Sequence, residues 1–332
     1  MSTKPAILVA RALFPSVLEG LQTQFEVSSN QGDEPYAPAE LIARLQGKSG
    51  ALITGSERID AALLDACPQL KAVCNVAVGY NNIDVPACTA RGVLATNTPD
   101  VLTETTADFG FALMMAAARR MAEAEHALRR GEWKRWSYDM FAGAEVNGST
   151  LAILGMGRIG RAIARRGALG FGMQVIYHNR SQLPAEQEAE VGARYVDKAT
   201  LLREADHLVI VLPYSAASHH TIAAAELAQM KPTATLTNIA RGGVVDDVAL
   251  AEALRNRTIA AAGLDVFEGE PQLHAGLLTV PNVVLTPHIA SATMKTRLAM
   301  AELAAANLTA ALTGGTPPTP INPEVLARTN LG

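Results

Sequence analysis

The spacing of apolar and polar positions changes period repeatedly along this chain. Ile7–Ala10, Ala51–Thr54, Lys71–Asn75 and Val93–Thr96 are short, mostly apolar runs, as expected of strands covered on both faces. Between them apolar positions fall at helical intervals: Pro15–Gln24, with Val17, Leu18 and Leu21 on one side, then Pro38–Gln46, then Ala61–Ala66 behind Asp60 as N-cap. Thr98-Pro99-Asp100 breaks the alternation and reads as a hinge. Beyond it a long helix is predicted from Thr103 to about Arg130, acidic at its start (Glu104, Asp108), basic at its end (Arg129, Arg130) and stopped by Gly131. A second series opens at Thr150, with strands at Leu151–Leu154, Gln174–Tyr177, His207–Val211, Ala234–Asn238, Ile259–Leu264 and Val283–Leu285. Helical patterns such as Arg158–Leu169 and Val248–Arg255 separate several of them. A final helix is expected over about Ala292–Leu312, followed by the proline-rich Thr316–Pro320 as an extended strap.

The second series is organised by Thr150-Leu-Ala-Ile-Leu-Gly155-Met-Gly157-Arg-Ile-Gly160, in which a buried strand enters three glycines and then an alanine-rich helix. Gly155 permits the tight turn, Gly157 lets backbone approach a pyrophosphate, and Gly160 lets the helix pack close to the strand. The free N–H groups and positive dipole end of that helix then face the phosphates. Glycine-rich turns are common, but strand, glycines and helix in this order specify dinucleotide binding. The chain is therefore expected to be an α/β protein of two doubly wound parallel-sheet domains. One is a flavodoxin-like substrate domain of residues 1–100 plus 292–332, to which the last helix crosses back. The other is a Rossmann-type nucleotide domain of residues 101–291, whose helix and loop over 103–149 serve dimerisation. Ligands are expected at the carboxyl ends of the strands, in a cleft between the domains.

At 332 residues, 49% apolar and 18% charged, the chain can build two cores and is globular rather than disordered. Its formal charge of −4 gives no reason to expect nucleic acid or a membrane surface as partner. No basic, apolar leader precedes Ala6–Ala10, and the longest apolar stretch, Phe109–Ala118, is too short to span a bilayer. Cys67, Cys74 and Cys88 are odd in number and lack C-x-x-C spacing, which suggests neither a disulfide framework nor a zinc site and fits a cytoplasmic location. Trp133, Trp136 and Phe141 gather aromatics in one segment. Packing beneath a loop is the plain reading and a subunit contact the preferred one.

In a dinucleotide fold an acidic residue about twenty positions beyond the first glycine holds the ribose of NAD. Here the matching strand ends Tyr177-His178-Asn179-Arg180-Ser181, with no carboxylate. Arg180 can pair with a 2′-phosphate through two N–H groups, and Ser181 or Asn179 can add hydrogen bonds. NADPH is therefore the expected cofactor and NADH the alternative; the bland reading of Arg180 is a solvated surface arginine. Further along, Arg241 in Asn238-Ile-Ala-Arg241-Gly242-Gly243, Glu270 in Glu268-Gly-Glu270-Pro271 and His288 in Pro287-His288-Ile-Ala-Ser291 each follow a predicted strand, on the side where ligands bind. Singly, each has a dull explanation: an exposed arginine, an acid in a turn, a histidine packed behind proline. Together they suit hydride transfer to a 2-oxo acid without a metal. Arg241 would hold the carboxylate and polarise the ketone, His288 would protonate the forming alkoxide, and Glu270 would favour the imidazolium.

Val76-Ala-Val-Gly79-Tyr-Asn-Asn-Ile-Asp84, Gly155-Met-Gly-Arg-Ile-Gly160, Asn238-Ile-Ala-Arg241-Gly, Gly263-Leu-Asp-Val-Phe-Glu268 and Pro287-His-Ile-Ala-Ser-Ala-Thr293 resemble the D-isomer-specific 2-hydroxyacid dehydrogenases, in order and over nearly the whole chain. Leu102-Thr-Glu-Thr, the long helix and the Arg180 loop make it most similar to bacterial glyoxylate/hydroxypyruvate reductases that also reduce 2-ketogluconate. The resemblance implies that Arg241, Glu270 and His288 are the catalytic arginine, glutamate and proton-donor histidine. It implies that the backbone amides of Val78 and Gly79 bind the substrate carboxylate. Cofactor contacts are implied at Thr106, Arg158, Ile159, Pro213, Ala240, Asp265 and Ser291, with Ser218 standing where threonine is usual in the loop after Pro213. A homodimer joined through the nucleotide domains is implied as well, together with hinge closure and Phe141 reaching toward the partner subunit. Ala290 replaces a glycine frequent beside the catalytic histidine.

Other readings stay open at this point. A 3-phosphoglycerate dehydrogenase is disfavoured by the missing ribose acid and by the absence of a regulatory domain after Leu312. A formate dehydrogenase is disfavoured because it pairs its histidine with glutamine. A D-lactate enzyme and a dinucleotide-sensing co-repressor share the motifs. Glyoxylate, hydroxypyruvate and 2-ketogluconate are not ranked, since one extra carbon is worth only about 1–3 kcal/mol in a pocket.

Overall fold

A computed structural model describes residues 4–329 and divides into two compact units, Met1–Leu102 with Thr293–Gly332, and Thr103–Ala292. The first is built on a five-stranded sheet: β1 (Ala6–Val9), β2 (Glu26–Ser29), β3 (Gly50–Ile53), β4 (Ala72–Asn75) and β5 (Leu94–Thr96), ordered β2-β1-β3-β4-β5 and parallel throughout. Alternate side chains of these strands enter two cores. Ile7, Val9, Leu52 and Cys74 pack with Val17 and Leu21 of the helix Pro15–Gln24 and with Ala301, Ala304 and Leu308 of the helix Met294–Thr313. Leu8, Ile53 and Val73 face Leu41, Leu45, Leu63 and Leu64 on the other side. Apolar residues on both faces make these strands readable as continuous runs.

β2 escaped that reading. Its Glu-Val-Ser-Ser pairs with β1 alone, at the sheet edge, and carries no apolar run. The short helix Val85–Ala90 was missed too, because Val-Pro-Ala-Cys-Thr-Ala lacks the paired leucines that mark Ala61–Ala66; Asp84 caps it by accepting the Ala87 N–H at 2.9 Å. The strap is more than a surface covering. Thr96 bridges antiparallel to Pro320, Ile321 N–H donates to the Ala95 carbonyl at 2.8 Å, and the buried Asn322 takes the Ala95 N–H at 2.8 Å. It thus satisfies β5 backbone that would otherwise form an open edge.

The second unit carries seven parallel strands: β6 (Thr150–Leu154), β7 (Gln174–His178), β8 (Arg194–Tyr195), β9 (His207–Ile210), β10 (Thr235–Asn238), β11 (Ala261–Leu264) and β12 (Val283–Leu285). Their order is β12-β11-β10-β9-β6-β7-β8, so the chain winds one way from β6 to β8 and the other way from β9 onward. The switch point lies at β6, where such sheets bind ligands. Both sheets are doubly wound, as the alternating pattern predicted. The two-residue edge strand β8 left no signal in the sequence.

One predicted element divides. The helix expected to run to about Arg130 is two helices, Thr103–Ala118 and Met121–Arg129, with Arg120 in the left-handed region at φ +53°. The Ala118 carbonyl accepts the N–H of Ala144 at 2.8 Å instead of continuing the helical ladder, while the Arg120 guanidinium grips Glu123 through two bonds of 2.8 Å. A partner far along the chain, Ala144, breaks the helix, so local periodicity carries no trace of it. Among the described residues no helix is long and apolar enough to cross a membrane, and all three cysteines are free and buried.

Candidate active site

The dinucleotide turn leaves the carboxyl end of β6. Gly155 has φ +100°, and a Cβ there would stand 2.7 Å from Leu212 N; one on Gly160 would stand 2.6 Å from the Gly155 carbonyl oxygen. A Cβ on Gly157 would meet nothing within 4 Å. The middle glycine therefore borders open space while the outer two are forced by close backbone, the division of labour that a pyrophosphate cradle needs. The helix Arg158–Arg165 begins there, with Arg158 exposed at its first turn and Ile159 half-buried. Thr106 offers a second fit: its hydroxyl is buried and makes no hydrogen bond among the described residues, as suits a group that would meet a ligand oxygen.

After β7 the residues proposed for a 2′-phosphate separate. Asn179 accepts the Met156 N–H at 2.7 Å and donates to the Met156 carbonyl at 3.4 Å, so its amide braces the glycine turn rather than serving a phosphate. Arg180 and Ser181 are exposed. Among the described residues no side chain is bonded to Arg180, and the nearest acid in sequence, Glu186, lies in the next helix. After β9, Pro213 is exposed and Ser218 ties the loop together, donating to the Pro213 carbonyl at 3.0 Å and accepting the Ser215 N–H at 2.7 Å.

The three candidate chemical groups follow β10, β11 and β12. Asn238, buried at the end of β10, accepts the N–H of buried Ala240 at 3.0 Å and donates to the Arg241 carbonyl at 3.2 Å, which shapes the turn presenting Arg241. Burial lowers the Arg241 pKa from its ordinary value and the Glu270 charge opposes that shift; a guanidinium stays cationic regardless. The next residue, Gly242, lies against the Glu270 loop: a Cβ on it would sit 1.7 Å from the Phe267 carbonyl oxygen. Glu270 accepts the Phe267 N–H through one oxygen at 2.8 Å and meets His288 Nδ1 through the other at 2.8 Å. Burial pushes the Glu270 carboxyl up. The His288 bond and charge, the Phe267 N–H and the Arg241 charge outweigh it and leave the carboxyl below its usual range.

His288 is held in the left-handed region at φ +55°, unusual for a histidine and in keeping with the strain found at functional sites. Asp265 fixes the loop that carries it. Fully buried at the end of β11, its carboxylate accepts the Thr286 hydroxyl and the N–H groups of Ile289 and Ala290, each at 2.8 Å. With Nδ1 engaged by Glu270, His288 Nε2 makes no hydrogen bond among the described residues, on a side chain about 45% exposed. Ser291 is half-buried next in the same loop.

In the first unit the loop after β4 is held by two asparagines that sequence reasoning passed over. Asn75 donates to the Gly79 carbonyl at 2.8 Å and Asn97 to the Val78 carbonyl at 2.7 Å. Both carbonyls are thereby taken, while the Val78 and Gly79 N–H groups have no partner among the described residues. The available signal was an asparagine closing the predicted strand Lys71–Asn75 and another, Asn97, just past the predicted strand Val93–Thr96. The Phe141 ring lies 5.3 Å from the Arg120 guanidinium.

A phosphate-ready turn at a switch point, a half-buried cation and a carboxylate-held imidazole at successive strand ends together define a dinucleotide-dependent oxidoreductase. Comparison with known proteins agrees. The family described as D-isomer specific 2-hydroxyacid dehydrogenase, NAD binding domain, matches residues 111–290. Glyoxylate reductase of Thermococcus onnurineus is 47% identical over 327 residues, 97% of each chain. That of Pyrococcus furiosus is 44% identical over 327 residues, again 97% of each. A crystal structure of NADPH-dependent glyoxylate/hydroxypyruvate reductase from Sinorhizobium meliloti in complex with NADP and malonate is 38% identical, with TM-score 0.86 over 96% of this chain and 97% of that one. The chain belongs to the D-isomer-specific 2-hydroxyacid dehydrogenase family, and it is an NAD(P)-dependent oxidoreductase.

Proposed function

We propose that this protein reduces small 2-oxo acids, glyoxylate and hydroxypyruvate first and 2-ketogluconate as a longer substrate, to D-2-hydroxy acids, with NADPH preferred over NADH. The observation that carries the reading is the 2.8 Å bond between His288 Nδ1 and Glu270, which leaves Nε2 to face a substrate oxygen. A bound dihydronicotinamide supplies the hydride, and the remaining work falls to the chain. The Val78 and Gly79 N–H groups bind the carboxylate. Arg241 holds the carboxylate and ketone by its planar fork and stabilises negative charge developing on oxygen. His288 gives that oxygen its proton from Nε2, and Glu270 supports the imidazolium before transfer.

The NADPH preference rests on Arg180 and Ser181, exposed after β7 with no ribose-binding acid between them and the strand. The Gly155–Gly160 turn, Thr106, Ile159, Ala240, Asp265 and Ser291 form the rest of the proposed cofactor site. A homodimer through the second unit fits the exposure of Trp133 (58%), Trp136 (69%) and Tyr138 (93%) in one segment. Initial rates with glyoxylate, hydroxypyruvate, 2-ketogluconate and pyruvate, each with NADPH and NADH, test the proposal. A higher kcat/KM with NADH ends the cofactor assignment, and tight dinucleotide binding without turnover of any acid favours a sensor instead.

A further inference from the structure

Beside the turn that presents Arg241 lies a cluster with no part in the proposed reaction. His219, His220 and Glu268 each place one ligand-type atom within 4.8 Å of the others. We propose that these three side chains bind a borderline divalent transition metal ion, of which zinc is the probe.

Two imidazoles and a carboxylate match the nitrogen and oxygen donors that Zn²⁺ takes in three-ligand sites, where water completes the coordination. Two of the three are already in place. His220 Nε2 meets Glu268 Oε2 at 2.9 Å, and His220 N–H donates to the Gly243 carbonyl at 2.7 Å, fixing the residue at φ +48°. Asp246 adds negative charge, with Oδ2 at 3.9 Å from His220 Nδ1. His219 is the adjustable ligand. Its ring stacks on that of His220 with centroids 3.8 Å apart and planes 22° from parallel, and one nitrogen of each ring lies within 4.8 Å of the other and of the Glu268 carboxylate. The residue is exposed and its Nδ1 is bonded to the Tyr214 hydroxyl at 3.2 Å, so rotating the ring toward convergence gives up one solvent-accessible bond.

The site would join two segments beside a third. His219 and His220 end the loop that begins at Pro213, and their neighbour Gly243 belongs to the Arg241 turn. Glu268 stands between Phe267 and Glu270, with its N–H on Asp247 at 3.0 Å. A bound ion would clamp the cofactor-side loop to the segment carrying Glu270, and binding to the folded state alone raises stability by mass action.

The test uses the full-length protein without substrate or dinucleotide, so that its outcome is independent of the reductase reading. Zinc chloride is titrated against a chromophoric chelator and in thermal melts, with His219→Ala, Glu268→Gln and, as a control for the other histidine–carboxylate pair, His288→Asn. The expected result is one zinc per chain and a rise in Tm reversed by EDTA. Both should be lost in His219→Ala and Glu268→Gln and kept in His288→Asn. His219 is exposed, so its variant folds, and the melts without metal verify this. No zinc uptake, uptake unchanged by the first two substitutions, or uptake lost in His288→Asn each overturns the proposal.

Discussion

At Gly242 the loop carrying Arg241 lies close against the loop carrying Glu270, and Gly242→Ala tests whether that approach matters. The new Cβ would stand 1.7 Å from the Phe267 carbonyl oxygen, 2.1 Å from its carbonyl carbon and 2.6 Å from Glu268 N. All three are backbone atoms, so no rotamer change relieves the clash. Ordinary contact begins at 3.4 Å, so the two backbones must part by about 1.7 Å. Phe267 N–H holds Glu270, and Glu270 holds His288, so the displacement reaches the proton donor as well as Arg241. Misplacement of about 1 Å can cost about 100-fold in rate, equal to about 2.7 kcal/mol of transition-state stabilisation. Overpacking should also cost about 1–3 kcal/mol of stability, which lowers Tm by a few degrees at about 2–4 °C per kcal/mol. The assay is NADPH oxidation with glyoxylate, accompanied by dinucleotide binding read from nucleotide fluorescence. Binding should persist, because the Gly155–Gly160 turn leaves a different strand. A Gly242→Ala enzyme with wild-type kcat/KM would refute the coupling of the two loops.

Other expectations follow from the same contacts. Glu270 has a depressed pKa and is therefore charged at neutral pH. Glu270→Gln keeps an acceptor for Phe267 N–H and removes the charge that meets His288 Nδ1, and a hydrogen bond to a charged group is worth about 1.5–3 kcal/mol; kcat/KM for reduction should fall about 10–100-fold, and a wild-type value removes Glu270 from this role. Arg180→Ala should lower kcat/KM with NADPH by about 10–100-fold, the worth of a charge-assisted hydrogen bond of about 1.5–3 kcal/mol, and leave the NADH value near wild type. Equal losses with both cofactors would move the 2′-phosphate elsewhere. His207 is buried between the Thr235 hydroxyl at 2.8 Å and the Glu145 carbonyl at 3.0 Å, and burial lowers its pKa. The unfolded chain takes up that proton first. Its contribution to stability is therefore full above about pH 6.5 and declines as pH falls through that value toward the folded pKa. Melts between pH 7.5 and 5.5 should show a smaller decline in His207→Gln than in wild type.

What the sequence determined by itself is what local chemistry writes into neighbouring residues. Strands buried on both faces are mostly apolar, which made β1, β3 to β7 and β9 to β12 legible, although β10, Thr-Leu-Thr-Asn, buries polar residues as well. A pyrophosphate turn must have glycine at fixed intervals, which made Gly155, Gly157 and Gly160 legible with their separate roles. Arg241, Glu270 and His288 were marked by standing just past apolar runs, although nothing in the spacing said that the last two touch. Tertiary structure alone decided the features whose cause lies far along the chain. Ala144 breaks a helix at Ala118, Met156 claims the amide of Asn179, and Phe267 requires glycine at 242. Asn75 and Asn97 strip two carbonyls from the Val78–Gly79 loop, and Glu268 joins His219 and His220 from 48 residues beyond His220. Such contacts are selected pair by pair across the fold. They leave single residues, not periodic patterns, and a single residue gains its meaning only from the partner that folding brings to it.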